Sequence, residues 1–262
     1  MRKIAVLLIA AAGVGLSGAA SAADLGTAPI YRKAPPVQVF TWTGAYIGGY
    51  VGGAFGNNDV VTGVPVTTGG AAIFGGPAAS YKYDAGFIGG YTSGYNWQFS
   101  PSWVLGYEGE TGYLGNKGTA VYANGTSLAT TRADGLYSVW SARLGYAFDR
   151  SLVYAKGGVA LAQFETGVVD GTPGNHIDTI HRRYAVGYAV GGGWEYALDN
   201  KWSVKAEYLY LGFDKDVTNT GNQNGPAGVQ VFTTTNLPGI HTVKAGVNYK
   251  FDALGYLLGA IR

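Results

Sequence analysis

The stretch Asp84-Ala85-Gly86-Phe87-Ile88-Gly89-Gly90-Tyr91-Thr92-Ser93-Gly94-Tyr95-Asn96-Trp97-Gln98 separates into two unlike faces when every second residue is taken. One face carries Ala85, Phe87, Gly89, Tyr91, Ser93, Tyr95 and Trp97; the other carries Asp84, Gly86, Ile88, Gly90, Thr92, Gly94, Asn96 and Gln98. A period of two belongs to a β-strand. The same division recurs downstream. Trp140, Ala142, Leu144, Tyr146 and Phe148 oppose Ser141, Arg143, Gly145 and Ala147. Tyr184, Val186, Tyr188, Val190, Trp194 and Tyr196 oppose Gly187, Ala189, Gly191, Gly193 and Glu195, and Trp202, Val204, Ala206, Tyr208 and Tyr210 oppose Ser203, Lys205 and Glu207. Each strand is bulky and apolar on one side, small or charged on the other.

Eight such segments can be read, at 43–55, 82–98, 102–113, 136–149, 152–165, 183–198, 202–213 and 240–251. Long connections rich in Gly, Asn, Thr and Asp, at 56–81, 114–135, 166–182 and 214–239, take turns with short ones at 99–101, 150–151 and 199–201. Long and short loops on opposite ends mark an up-and-down antiparallel meander. An eight-stranded barrel has an interior just wide enough for side chains, so a face built of Trp and Tyr cannot be its inside. Turned outward, that face is tolerable only in lipid. A soluble barrel or sandwich would need the reverse assignment. The expected fold class is therefore all-β: an eight-stranded antiparallel up-and-down transmembrane β-barrel.

Composition agrees with this class and excludes others. The 262 residues include 44 Gly, 20 Tyr, 10 Phe and 6 Trp but no Cys. Absence of Cys removes disulfides, Cys-ligated zinc, iron–sulfur clusters and thiol nucleophiles. So many aromatic residues argue against disorder, and a net charge of +2 gives no support for nucleic-acid binding. The first residues read as an export label: Arg2 and Lys3, an apolar run from Ile4 to Leu16, then Ala20-Ser21-Ala22 for cleavage. Without Arg2 and Lys3 the 18 basic residues become 16, equal to the 16 acids, so the mature chain is formally neutral. The expected organisation is a signal peptide at 1–22, a Pro-rich arm at 23–41, the barrel at 42–251 and a tail at 252–262, with the outer membrane as destination.

If the small face points inward, the strand charges on it are Glu108, Glu110, Arg143, Lys156, Glu195, Lys205, Glu207 and Lys244. Four acids and four bases can form a satisfied polar core that plugs the barrel, or line a narrow pore for ions or small solutes. A catalytic pair of Glu108 and Glu110 is disfavoured, because nearby bases keep both ionised. Trp42, Trp97, Trp103, Trp194 and Trp202 flank the short-turn end and, with Phe251, are expected to form a periplasmic aromatic girdle. His176, His181, Arg182 and Arg183 lie in or beside one long loop. They are weak candidates for lipopolysaccharide phosphates or haem, and a solvated loop is the simpler reading. His241 beside Thr242 could prime a hydroxyl, yet no orienting acid is identifiable. No catalytic residue, metal ligand or cofactor is assigned, and no enzymatic activity is expected.

Several motifs, taken as a set, resemble the small outer-membrane surface-antigen family of Gram-negative bacteria, also called outer-membrane immunogenic or opacity-type porin proteins. They are Ala23-Asp24-Leu25, Lys33-Ala34-Pro35-Pro36, Trp42-Thr43-Gly44-Ala45-Tyr46-Ile47-Gly48-Gly49, Gly94-Tyr95-Asn96-Trp97-Gln98 and Leu105-Gly106-Tyr107-Glu108-Gly109-Glu110. Further on come Arg143-Leu144-Gly145-Tyr146-Ala147-Phe148-Asp149, Trp202-Ser203-Val204-Lys205-Ala206-Glu207-Tyr208-Leu209-Tyr210 and Val243-Lys244-Ala245-Gly246-Val247-Asn248-Tyr249-Lys250-Phe251. The resemblance implies an eight-stranded barrel similar to the membrane domain of the OmpA class, which displays antigenic loops and supports the envelope. It also implies outer-membrane lipid, lipopolysaccharide and the barrel-assembly machinery as partners, and haem or host surface ligands as readings drawn from some members. It supplies no catalytic residues. Chains of this family commonly end at the aromatic matching Phe251, whereas Asp252 to Arg262 follow here. Deleting 252–262 is expected to leave assembly intact; loss of the truncated protein from isolated outer membranes would refute this.

Overall fold

In the computed structural model the described residues are 40–56, 59–170, 176–213, 215–224 and 228–251. The expected signal peptide, the expected arm up to residue 39 and the tail at 252–262 lie outside them. The described strands are β1 (Gly44–Phe55), β2 (Val60–Thr62), β3 (Val66–Thr67), β4 (Ala79–Tyr81), β5 (Gly86–Gln98), β6 (Trp103–Val121) and β7 (Ser127–Phe148). They continue as β8 (Ser151–Asp170), β9 (Ile177–Asp178), β10 (His181–Ala197), β11 (Trp202–Gly212), β12 (Lys215–Asn222), β13 (Gln230–Leu237) and β14 (Ile240–Phe251). Eight of them form a closed antiparallel ring in the order β10-β11-β14-β1-β5-β6-β7-β8, with β8 returning to β10. The chain is an eight-stranded antiparallel barrel, and closure leaves the ring without a free edge along most of its height.

Face assignment follows the parity read from sequence. Phe87, Tyr91, Trp140, Leu144, Tyr184, Val186, Val190, Val243 and Val247 are exposed on the outside. Along β10 the outward series runs from Tyr184 to Tyr196. Twelve steps at about 3.3 Å, tilted by about 45°, give a band roughly 28 Å tall, close to the apolar height of outer-membrane barrels.

The interior is filled in three layers. At the short-turn end Trp42, Val104, Ala147, Leu152 and Ala197 make a small apolar cluster. Charged side chains occupy the middle. Beyond them Ile88, Leu114, Val139, Ala160, Leu209 and Leu211 begin a larger apolar core that continues to Phe164 and Phe213, whose rings meet edge-on at 4.8 Å.

The long connections are more ordered than the sequence reading allowed. The segment 114–135, expected as a loop, is the projecting end of the β6–β7 hairpin, with pairing continuous from Leu114↔Gly135 to Val121↔Leu128. Composition misled here because the outer face, once above lipid, no longer needs apolar side chains, while the inner face stays buried at Leu114, Asn116, Ala129, Thr131 and Ala133. Connections 56–81 and 214–239 contribute β2, β3, β4, β12 and β13 to a second sheet in the order β12-β13-β2-β4, with β3 on β13. Tyr81 ties this sheet to the hairpin, its hydroxyl 2.9 Å from Thr62 Oγ1 and 2.8 Å from Thr131 Oγ1.

The seam between the first and last barrel strands is tight. A Cβ added at Gly52 would lie 2.0 Å from the Val243 carbonyl oxygen, whereas at Gly53, facing outward, the nearest atom would be the Gly90-side strand's Gly86 oxygen at 3.9 Å. Gly52→Val is expected to destabilise the barrel by about 1–3 kcal/mol or more through overpacking, and Gly53→Val to be nearly neutral. Urea titration of protein folded into vesicles checks both.

Candidate functional site

The eight charged residues picked out by parity are all buried within the barrel. Glu108 and Glu110 come from β6, Arg143 from β7, Lys156 from β8, Glu195 from β10, Lys205 and Glu207 from β11 and Lys244 from β14. Alternation aims each at the axis, and the ring closes over a lumen narrow enough for opposite walls to touch.

Lys156 is the hub. Its Nζ lies 2.5 Å from Glu108 Oε1, 3.2 Å from Glu110 Oε2 and 3.2 Å from Glu207 Oε1. Lys205 Nζ reaches Glu108 Oε2 at 3.1 Å, and Lys244 Nζ bridges Glu110 at 2.6 Å and Glu207 at 2.9 Å. Carboxylate oxygens of Glu108, Glu110 and Glu207 lie within 4.8 Å of one another, a spacing that could hold a metal ion. The Lys156 ammonium already donates to all three, so the cation of this cluster is a side chain.

Arg143 extends the network toward the short-turn end. It meets Glu195 Oε2 at 3.2 Å and Glu108 Oε2 at 3.6 Å, and its Nε donates to Asn96 Oδ1 at 2.9 Å. Ser203 and Asn248 donate to Glu195 Oε1 at 2.6 and 2.8 Å.

Four tyrosines complete the layer, and the sequence reading missed them by assigning aromatic bulk to the outside. Tyr46 donates to Glu108 at 2.8 Å, Tyr154 to Glu207 at 2.9 Å and Tyr137 to Glu110 at 3.0 Å, while Tyr50 and Tyr137 share a hydroxyl contact. The Arg143 guanidinium carbon sits 4.7 and 5.1 Å from the Tyr46 and Tyr154 ring centres. Parity held the signal: Tyr46 and Tyr50 alternate with Gly48 and Gly52, and Tyr137 shares the phase of Arg143. Space is made by glycine on facing strands; a Cβ at Gly94 would lie 2.4 Å from the Tyr46 hydroxyl. Such hydrogen-bonded pairing is what lets buried charges persist in a low-dielectric interior.

Trp97, Trp103, Trp194, Trp202 and Phe251 stand exposed near the short turns, in the position expected of a girdle. Trp42 does not, and its assignment is corrected. It is 3 % exposed and packs with Val104, Leu152 and Tyr154 inside the mouth, with Phe40 edge-on at 5.2 Å. Its parity is that of Tyr46 and Tyr50, which sends the indole into the lumen at the short-turn end. In the 199–201 turn the Asp199 carboxylate accepts the Trp202 and Lys201 N–H groups, both at 2.7 Å, and these hold it below the usual carboxylate range.

At the opposite end His176 is exposed and exchanges backbone-linked hydrogen bonds with Asn224. His181 Nδ1 lies 3.1 Å from the Thr179 carbonyl oxygen, Arg182 pairs with Glu165 at 3.1 Å, and Arg183 is exposed beside a cavity. His241 and Thr242 face opposite sides of the wall. The imidazole stacks on Phe55 and lies 2.6 Å from the Tyr208 hydroxyl, while Thr242 Oγ1 donates inward to the Leu209 carbonyl. They cannot act as base and nucleophile together.

Residues 8–251 match the family model described as outer membrane protein beta-barrel domain. The chain is 33 % identical to the 31 kDa outer-membrane immunogenic protein of Brucella melitensis, over 94 % of this chain and 99 % of that one. The Brucella suis protein of the same name matches to the same extent. Among solved structures, OprG from Pseudomonas aeruginosa superposes with a TM-score of 0.52 at 15 % identity, covering 82 % of this chain and 99 % of the other, a likeness of fold.

Removing one partner of a buried pair strands the others. Lys156→Met leaves three carboxylates converging on an apolar side chain and is expected to cost about 3–5 kcal/mol, whereas Lys117→Met, on the exposed face of β6, should change little. Unfolding in urea from vesicles measures the difference, and equal midpoints for the two variants would refute a stabilising lumen network.

Proposed function

The chain belongs to the outer membrane protein beta-barrel family and sits in the outer membrane, and from that premise we propose that it is a closed structural and surface-antigenic protein. The observation that carries the reading is the filled lumen. Trp42 and its neighbours occupy the periplasmic mouth, eight paired charges and four tyrosines occupy the middle, and an apolar core under the second sheet occupies the rest. A side-chain-filled eight-stranded ring is a rigid, cooperative wall element. Its girdle residues bind it to lipid at headgroup level, and the barrel-assembly machinery and lipopolysaccharide are its expected partners.

Display is the second half of the role. The β6–β7 hairpin projects above the apolar band to the turn at 122–126, where Asn124 Oδ1 accepts the Ser127 N–H at 3.1 Å. A relative named as immunogenic is what a well-ordered, projecting hairpin would produce. The competing role is a narrow pore, favoured by the sheer number of charges in the lumen.

Planar-bilayer recordings of the refolded mature protein decide between them. Silence at an applied potential of about 100 mV is expected from wild type, with transient openings from Arg143→Ala as the Glu195 and Glu108 contacts are lost. Stable unitary openings from wild type would replace the closed-barrel reading with the pore.

A further inference from the structure

Among the described residues the barrel wall is incomplete beside the upper half of β10. β10 pairs with β8 along nearly its whole length, from His181↔Thr166 to Tyr196↔Ser151. With β11 it pairs only from Tyr188↔Gly212 to Ala197↔Ser203. Beyond Gly212 the chain leaves the ring: Phe213 is buried, and β12 pairs with β13 instead. The edge of β10 at residues 183–187 therefore faces β12 across a window with no ladder between them. Its lower margin is the Tyr188↔Gly212 pair, and its upper margin is Asn219, whose Nδ2 donates to the Thr166 carbonyl and hydroxyl at 2.6 Å.

The window holds a cavity of about 180 Å³. Phe164 and Leu237 are its buried apolar lining, and Arg183, Lys215 and Asp216 line it as well. Arg183 shares the inward phase of Ala185 and Ala189, and Lys215 that of Phe213 and Asn219, yet both cations are exposed. The missing wall explains this: side chains aimed inward here still reach the outside. Neither cation forms an ion pair among the described residues, and Asp216 is engaged by the Asn236 carboxamide at 3.0 Å. Tyr184, adjacent to Arg183 and 66 % exposed, tops the outward apolar series of β10, which puts the window at the headgroup level of the outer leaflet.

We propose that this window is a binding site for the phosphate of an outer-leaflet lipid. Arg183 and Lys215 supply charge-assisted donors to the phosphate oxygens, a pairing for which guanidinium and ammonium groups are suited. The first methylenes of the chain attached to that phosphate lie against the Tyr184 ring and Val217, the accessible apolar lining of the same cavity. Among the described lining residues, two cations stand against one already engaged carboxylate, a net positive set complementary to an anionic headgroup. The site rests on the outer-membrane location of the protein and is independent of whether the lumen conducts.

The test is a titration of the refolded mature protein, in non-ionic detergent, with dodecyl phosphate, followed by native mass spectrometry. One dodecyl phosphate per barrel is expected, with binding weakened about tenfold or more in Arg183→Gln/Lys215→Gln and by a smaller factor in Lys215→Gln alone. The control Arg132→Gln/Arg182→Gln, which removes two cations paired with Glu165, should bind as wild type does. Unchanged affinity in the window variants overturns the site. So does equal affinity for uncharged dodecanol, which would make it a grease-binding hole. Displacement by inorganic phosphate at equal affinity would refute the lipid source. Heat-dependent gel mobility, run on each variant, separates lost binding from lost folding.

Discussion

Lys156 donates to carboxylates on two different strands across a lumen too narrow to hydrate them, and the rest of the molecule is arranged around that contact. A lone ammonium at that depth would be several kcal/mol out of balance, and so would each glutamate. The ring resolves the problem by bringing partners from far apart in sequence. Lys205 meets Glu108 across 97 residues and Lys244 meets Glu110 across 134. Charge balance thus has a spatial meaning, because the four acids and four bases of the inner wall face one another.

The same contacts fix strand register. In a strand with period two, a slip of one residue would exchange the faces and send Arg143, Lys156 or Lys205 into lipid, where a basic side chain at mid-depth costs about 2–4 kcal/mol, while burying Trp140 or Tyr208 in a lumen with no room for them. Both penalties act in the same direction. Glycine supports the arrangement by lowering the inner surface opposite each tyrosine, as at Gly94 beneath Tyr46, so that hydroxyls can reach carboxylates across the axis. The glycine and aromatic excesses of the composition are two sides of one packing solution.

Much of this was readable from one chain. Parity alone located the strands of the ring and all eight lumen charges, because charge and bulk sort cleanly between lipid and interior. It failed where a residue broke the bulk rule while keeping the phase: Trp42, Tyr46, Tyr50, Tyr137 and Tyr154 are large yet point inward. Phase is a stronger cue to facing than bulk. Length was misjudged above the membrane, since Asn116, Thr130 and Thr131 read as loop although they are buried strand residues. The second sheet was invisible, because pairs such as Thr62↔Thr235 join segments too short to show a period and too distant for local turn signals.

The window between β10 and β12 was beyond sequence reading for a further reason: it is made by what two strands fail to do. Arg183 and Lys215 look like ordinary rim charges until the register shows that β10 loses β11 at Tyr188 while keeping β8. With side chains filling the axis among the described residues, a molecule in the membrane plane meets the barrel from the side. The place where ladder hydrogen bonds are missing, at the level where lipid phosphates lie and with two cations that form no ion pair among the described residues, is where such contact is least costly. Stability and recognition are thereby separated in space: the charged network that ties the strands together occupies the middle of the ring, and the break in the β10–β11 ladder lies above it, where it does not disturb the charged layer.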